Sequence, residues 1–531
     1  MTEQAHWWQR GIIYQVYPRS FMDRNGDGVG DLAGVTSRLE YLEWLGVDAI
    51  WLSPFFPSPM ADFGYDVSNY VDVHPLFGTL GDFDRLVAEA HRRALKVIVD
   101  FVPNHTSDEH PWFKESRSSR DSPRRDWYIW RDPAPNGGPP NNWLAIFGGS
   151  AWQSDTTTGQ YYYHAFLPRQ PDLNWRLPEV RDAMYDVLRF WLDRGADGFR
   201  LDAVWYLFED EQLRDNPPNP DYRPGDDPYH ALLAAFTSDL PEMQEVMAEM
   251  RAVLDGYDER VMIGEIYLPI ERLVAYYGVN GNGCHLPANF QLILQPWDAA
   301  HIGAVVDRYE AALPDGAWPN WVLGNHDKPR VASRIGPAQA RVAAVLLLTL
   351  RGTPTMYQGD EIGMHDVEIP PDRAQDPIER HVPGLGLGRD PERTPMQWDS
   401  GPQAGFTDGT PWLPLADDAA RVNVAAERDD PRSILTLYRR LIALRRAEPA
   451  LQVGCYVPVP VEGNLLGYRR ELDGSEFLVA LNLGDIEQEF APRQPDLRGP
   501  IELSTHLDRT GETVDGSFRL RAHEAVVVRL K

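Results

Sequence analysis

Cysteine is nearly absent: Cys284 and Cys455 are the two thiols in 531 residues. They permit at most one disulfide and form no closely spaced metal motif, which argues against a disulfide scaffold and a zinc site. Positive charge is short as well, with 51 Lys and Arg against 79 Asp and Glu and a net charge of −28. Such a surface repels phosphate backbones and anionic headgroups, so neither nucleic acid nor membrane is an expected partner, and a neutral substrate fits better. Long hydrophobic runs are also missing. The apolar stretch at 342–350 is far below the ~20 residues that span a bilayer, and the first residues show no basic start followed by an apolar core. A soluble, cytoplasmic protein is expected.

What is present is ordinary globular material, 43% hydrophobic and 24% charged, with 17 Trp and 22 Tyr whose flat faces suit a core or a sugar ring equally. Short β-rich apolar segments alternate with stretches of helical periodicity, the pattern of a parallel sheet wrapped by helices. Eight such segments occur, at residues 12–21, 47–54, 96–105, 197–204, 261–267, 288–296, 320–327 and 353–363. They predict an α/β fold, a closed (β/α)8 TIM barrel, with residues 80–95, 178–194 and 337–350 spaced as its outer helices. A Pro-, Gly-, Trp- and Arg-rich insert follows the third strand, and from about residue 453 only short alternating strands remain. The expected organisation is a barrel at 1–104 and 172–452, an inserted lobe at 105–171 and a C-terminal all-β sandwich at 453–531. Residues 364–429 are too long for an ordinary loop and are expected to cover the cleft.

Three acidic motifs each close one of the apolar segments: Gly-Phe-Arg-Leu-Asp202, Gly-Glu265-Ile-Tyr and Gly-Asn-His326-Asp327. A carboxylate is costly to bury unless it is gathered with others in a polar cleft, and barrels of this kind build that cleft at the carboxyl ends of their strands. Arg200 precedes Asp202 by two residues, so both project to one face of a strand and the arginine can hold the aspartate ionised for attack on an electrophilic carbon. Glu265, between Gly264 and Ile266, can have the apolar setting that raises the pKa of a general acid. Retaining glycosidases use such a pair about 5–5.5 Å apart. Asp327 is a third carboxylate able to bind the hydroxyls of a distorted sugar ring. For any one of the three, a buried ion pair supporting the barrel is an equal account; three at one rim favour chemistry. His105 and His326 adjoin strand ends and add hydrogen-bonding groups there.

Asp-Phe-Val-Pro-Asn-His105, Gly-Phe-Arg200-Leu-Asp202-Ala, Gly-Glu265 and Asn-His326-Asp327 resemble, in order and identity, the four motifs of glycoside hydrolase family 13, the α-amylase family. Gln170-Pro-Asp-Leu-Asn-Trp175, Gln358-Gly-Asp-Glu-Ile-Gly363 and Arg393-Thr-Pro-Met-Gln-Trp398 are similar to its oligo-1,6-glucosidase and α-glucosidase branch. The resemblance implies Asp202 as nucleophile, Glu265 as acid/base and Asp327 as transition-state stabiliser, with Arg200, His105 and His326 as ligands of the transferred glucose. It also implies that Asp62 and Tyr65 hold and stack on the terminal glucose. Arg389 would pair with Asp62 to close the pocket, with Arg393 as its substitute, and a closed pocket implies exo action on short substrates. Ala203, directly after Asp202, is similar to enzymes preferring α-1,4 links, where valine marks α-1,6 preference.

Asp23-Arg-Asn25-Gly-Asp27-Gly28-Val29-Gly-Asp31 places oxygen ligands at alternate positions around Gly28, as in the first part of an EF-hand loop. Gly34 stands where an EF-hand has its bidentate glutamate, and an Asx-rich turn without metal is the competing account. The resemblance to α-glucosidases implies one structural divalent cation, Ca2+ or alternatively Mg2+, held by Asp23, Asn25, Asp27, the Val29 carbonyl and Asp31, with no organic cofactor. The activity expected is that of a retaining exo-α-glucosidase acting on a small maltose-like or sucrose-like glucoside, with hydroxyl acceptors able to replace water. A sugar isomerase or dedicated transglucosidase is the nearest alternative. A noncatalytic family member is the alternative from another class; such relatives lose the carboxylates that this chain keeps.

Overall fold

The computed structural model describes residues 5–492 and 497–531; residues 1–4, part of the N-terminal stretch read above, and 493–496 lie outside the described residues. Eight parallel strands close into a barrel: Ile13–Val16, Ala49–Leu52, Lys96–Phe101, Gly198–Leu201, Val261–Ile266, Leu286–Asn289, Asn320–Val322 and Thr353–Tyr357. Each pairs with its neighbours in sequence among these eight, and the first pairs with the last, Ile13 opposite Thr355 and Gln15 opposite Tyr357. All their residues are buried except the half-buried Lys96, because helices cover the outside and side chains fill the inside. That double burial is why the strands read as unbroken apolar runs.

Seven of the eight lie inside the expected segments. The sixth runs Leu286–Asn289, starting upstream of the expected 288–296 and sharing only residues 288 and 289 with it. Residues after Asn289 turn instead: Asn289 Oδ1 accepts the Gln291 N–H at 2.9 Å, and the Phe290 carbonyl accepts that of Ile293. Leu292 and Ile293 are apolar because that turn is buried, not because it is a strand.

Helices Leu80–Arg92, Pro178–Asp193, Met243–Asp255, Ala299–Ala312 and Pro337–Thr349 lie between successive strands. Their starts are locally encoded: Thr79 Oγ1 accepts from the Asp82 N–H while Asp82 accepts from Thr79 N, proline opens the second and fifth, and Asp298 accepts from His301 N. The helix Pro337–Thr349 is buried on almost every face, since it packs against both the helix Ile434–Ala447 and the C-terminal sheet.

Between the third and fourth strands the insert forms the helix Pro111–Ser118 and a three-stranded antiparallel sheet, Trp130–Arg131, Trp152–Asp155 and Gln160–Tyr163, over its own core of Trp143, Trp152 and Tyr163. After the barrel, a six-stranded antiparallel sheet begins at Cys455. Among the described residues the second layer of the expected sandwich is the pair Gln488–Phe490 and Phe518–Leu520, which closes a core containing Phe490, Leu520 and Val528. Arg470, on the strand Leu465–Leu472, reaches the barrel and donates to the carbonyls of Thr349, Leu451 and Gly454 at 2.6, 2.9 and 2.9 Å. These are the C-terminal ends of helices Pro337–Thr349 and Pro449–Val453, where orphan carbonyls favour a cation. Burial pulls its pKa down to about 9, so it stays charged at neutral pH. Among the described residues no helix is long and apolar enough to cross a membrane.

Candidate active site

The carboxyl ends of the strands bring the predicted residues together. Asp202 follows the fourth strand directly, Glu265 is the penultimate residue of the fifth, and Asp327 lies in the loop after the seventh. Arg200 is the hub. Its Nη1 donates to Asp202 Oδ1 at 2.6 Å and to Asp100 Oδ1 and Oδ2 at 2.9 and 3.2 Å. Its Nη2 lies 2.9 Å from Glu265 Oε1, close enough for an ion pair but off the line of a hydrogen bond. Ala203 adopts left-handed φ/ψ of 45° and 36°, an uncommon conformation for alanine, and so aims its N–H at Glu265 Oε2, 2.9 Å away.

Sharing changes the ionisation expected from spacing alone. One guanidinium faces three buried carboxylates, so it does not by itself hold Asp202 ionised. Burial pushes Asp202 and Glu265 above the ordinary range against the pull of Arg200, and brings Asp100 to about 7. The three therefore titrate as a set and hold a proton more readily than free carboxylates do. Asp327 differs. Burial pushes it up, but His326, Arg393 and Arg389 outweigh this and hold it far below the usual carboxylate range. His326 is itself kept neutral by burial, so the arginines carry the positive charge: Arg393 Nη2 donates to Asp327 Oδ1 at 2.7 Å and Arg389 Nη1 at 3.2 Å.

Neutral His326 takes part in a relay of hydrogen bonds. Gln15 Nε2 lies 2.7 Å from its Nδ1, which assigns the ring proton to Nε2, 2.6 Å from the Tyr65 hydroxyl; that hydroxyl donates to Asp100 Oδ2 at 3.2 Å. Tyr65 and His326 are stacked, centroids 5.5 Å apart and planes 10° off parallel. Trp51 Nε1 also donates to Asp100 Oδ2, at 3.1 Å. His105, fully buried and pushed down to about 3 by that burial, has Nε2 3.1 Å from the Tyr65 carbonyl.

At the other end stand Asp62 and Arg389. The loop after the second strand is held by Asp66, which accepts from Ser58 Oγ, Ala61 N and Asp62 N at 2.7, 2.8 and 3.0 Å. Its backbone carries positive φ at Met60, Phe63 and Gly64 (64°, 47° and 111°), a concentration of strain typical of ligand clamps. Arg389 Nη2 donates to Asp62 Oδ1 at 2.8 Å, as expected, while Arg393 serves Asp327 rather than substituting for it. Asp376 locks Arg389 by accepting from its Nε at 2.8 Å and Nη2 at 2.9 Å. Gln170 Nε2 donates to Asp62 at 3.2 Å and touches His105 Nε2 at 3.0 Å, tying the insert to the pocket.

In the loop from Asp23 to Asp31 every predicted side-chain ligand is turned to the backbone. Asp23 accepts from the N–H groups of Asn25, Gly26 and Gly28 and from Thr407 Oγ1, Asn25 from Asp27 N, Asp27 from Val29 N, and Asp31 from Arg24 N and Gly34 N. Among the described residues no group of three or more His, Cys, Asp or Glu is gathered as metal ligands would be. The oxygen-only donor set still suits a hard cation, and burial with the neighbouring Asp23 charge raises Asp31, a repulsion a cation would relieve.

Residues 15–454 match the model of the alpha-amylase catalytic domain. The chain belongs to the alpha-amylase family. A probable alpha-glucosidase of Rhizobium meliloti (strain 1021) is 44% identical over 542 residues, covering 99% of this chain and 97% of the relative. Among solved structures, the alpha-glucosyl transfer enzyme XgtA matches with a TM-score of 0.94 at 43% identity, over 99% of this chain and 100% of its own. The trehalulose synthase of Pseudomonas mesoacidophila MX-45 matches at 0.92 and 35% identity, over 100% of both chains. Within this alpha-amylase family barrel, Gln15, Trp51, Asp100, Gln170 and Asp376 are among the site residues that the sequence left without a role. Asp100 had a signal, a charge inside the apolar strand Lys-Val-Ile-Val-Asp-Phe, which demands a partner. Asp376 sits in an aperiodic Pro- and Gly-rich stretch and had none.

Proposed function

We propose that the protein is a retaining exo-α-glucosidase that releases or transfers terminal α-glucose from short α-glucosides through a covalent glucosyl-enzyme intermediate. The observation that carries this reading is the grip of one guanidinium on both Asp202 and Glu265, at 2.6 and 2.9 Å. Two carboxylates on adjacent nitrogens of one side chain favour the separation of about 5–5.5 Å of retaining enzymes over the 6.5–9.5 Å of inverting ones. In the reactive form the shared proton resides on Glu265. Asp202 attacks the anomeric carbon as the glycosidic bond breaks, and Glu265 protonates the departing oxygen; water or another hydroxyl then gives a proton to Glu265 and displaces Asp202. Asp327, kept ionised by its arginines, stabilises the oxocarbenium-like transition state. Arg200, His105 and His326 bind the same glucose, with Tyr65 as its platform, and Asp62 with Arg389 makes the blind end that limits action to chain termini. Ala203 supports an α-1,4 preference; equal or faster hydrolysis of isomaltose than maltose would overturn that part.

Chromatography of products from maltose, isomaltose, sucrose and trehalose, with and without added alcohol, tests the whole reading. Full activity of Asp202→Asn on p-nitrophenyl α-glucoside would sink it. The likeness to a glucosyl transfer enzyme and a trehalulose synthase supports a second reading, a sucrose or maltose isomerase or dedicated transglucosidase, which the same chromatogram would reveal as isomerised or transferred product. We also propose one structural divalent cation, Ca2+ or Mg2+, on Asp23, Asn25, Asp27, the Val29 carbonyl and Asp31. A melting temperature that EDTA leaves unchanged would remove it. The division into barrel (1–104 and 172–452), inserted lobe (105–171) and C-terminal unit (453–531) belongs to the same reading, as does a cytoplasmic location, to which the exposed free thiol of Cys455 is suited.

A further inference from the structure

Among the described residues the arginines that touch the carboxylates are spent on them, whereas Lys328 makes no ion pair. Arg200 is divided among Asp100, Asp202 and Glu265; Arg389 among Asp62, Asp376 and Asp327; Arg393 serves Asp327 and the His326 carbonyl. Lys328, the residue after Asp327, is half-buried, and its ammonium lies over the Tyr267 ring, 5.2 Å from the centroid. Tyr267 is two residues beyond Glu265, stacks on Phe290 at 4.1 Å and 13°, and accepts from Asn325 Nδ2 at 3.1 Å. The Glu265 carboxyl feels the Lys328 charge. An aromatic face therefore holds an ammonium beside the group that handles the proton of the departing or arriving oxygen.

We propose that Lys328 selects the acceptor and the leaving group: its uncommitted ammonium favours partners bearing a carboxylate over neutral partners of the same shape. The inference rests on the glucosyl-transfer reading above. In the transfer step the acceptor hydroxyl oxygen forms its bond to the anomeric carbon, the bond from Asp202 to that carbon breaks with its electron pair returning to the Asp202 carboxylate, and the hydroxyl proton passes to Glu265. The acceptor carboxylate pairs with Lys328 and is unchanged.

The test is a competition on one glucosyl-enzyme. Wild type and Lys328→Met, which keeps an unbranched stem of similar length without the charge, receive p-nitrophenyl α-glucoside with equal amounts of 4-hydroxyphenylacetate and 4-hydroxyphenylacetamide, and the two product glucosides are separated. Their ratio cancels differences in active fraction. Wild type is expected to favour the carboxylate about fivefold at low salt, the upper end for a partly exposed ion pair, with the preference shrinking in 1 M NaCl and vanishing in Lys328→Met. Should water outcompete both acceptors, the same pair presented as aryl α-glucoside leaving groups gives the ratio from kcat/KM. An equal ratio in wild type and variant overturns the proposal. Failure of the underlying reading looks different: no nitrophenol release, or release that Asp202→Asn leaves intact.

Discussion

Replacing Asp100 by asparagine separates a shared-proton cluster from a set of independent carboxylates. Asp100 and Asp202 accept from the same Arg200 nitrogen at 2.9 and 2.6 Å, which puts their oxygens about 4–5 Å apart. Two full charges at that distance repel by about 3–4 kcal/mol at an effective dielectric constant near 20. Burial brings Asp100 to about 7, so near neutrality it carries only part of its charge. The part that acts on its neighbours is then about 1–2 kcal/mol, equivalent to about one pKa unit. Removing a negative neighbour lowers a carboxyl pKa. The alkaline limb of the kcat/KM profile of Asp100→Asn, where wild-type Asp100 ionises, should therefore move to lower pH by about one unit while the acid limb stays, read with p-nitrophenyl α-glucoside between pH 4 and 9. The maximum should fall too, since asparagine offers one acceptor oxygen where Arg200, Trp51 and Tyr65 now find two. A merely structural role for Asp100 would depress the rate and leave the limbs in place. An alkaline limb that stays, or moves upward, refutes the shared-proton account.

Arg389→Ala removes the contacts to Asp62, Asp376 and Asp327 together, and if the disordered pocket loses the worth of one charge-assisted bond, about 1.5–3 kcal/mol, kcat/KM falls about 10–150-fold, expressed chiefly in KM. Asp376→Asn should lower kcat/KM in the same direction by less, and a wild-type KM in either variant would contradict the latch. Glu427 supplies a test of sign: burial pushes it to about 8, so its stabilising proton is fully present below about pH 4.5 and is lost as pH rises to 8. Glu427→Gln can keep an acceptor for the Leu435 N–H without ionising, and calorimetry should find it gaining on wild type from pH 5 to 8, by about 2 kcal/mol after allowing for partial solvent access. Arg470→Met should lower stability by about 3–5 kcal/mol in urea unfolding, because it strands the carbonyls of Thr349 and Gly454, while that of Leu451 keeps the Arg445 guanidinium.

Fold and site were legible to different depths. Barrel strands announced themselves because each is buried on two faces, and the carboxylates stood out as charges at the ends of apolar runs. The sixth strand was displaced because Leu292 and Ile293 are buried in a turn, and hydrophobicity reports burial rather than conformation. The pairing of Arg389 with Asp62 followed from the family resemblance alone; no periodicity relates positions 62 and 389. Ionisation was the least legible level. Arg200 and Asp202 are two residues apart and read as a private pair, but Asp100, on the neighbouring strand directly opposite Arg200, claims the same guanidinium. Register between strands decides that competition, and register is not written in either strand by itself.

Closure of the barrel also sets a schedule for its synthesis. The strand Ile13–Val16 finds one of its two neighbours early, at Ala49–Leu52, but its other edge waits for Thr353–Tyr357. At ~5–20 residues per second that edge is unpaired for roughly 20–70 seconds of elongation, an interval in which it can recruit a foreign strand. Arg389, Arg393 and Arg470 emerge later still, so the nascent chain holds its acidic pocket without two of the arginines that neutralise it and its last barrel helix without the Arg470 cap. A nascent chain that has emerged only as far as residue 357 should therefore present a barrel that can close but a pocket still short of its positive charge.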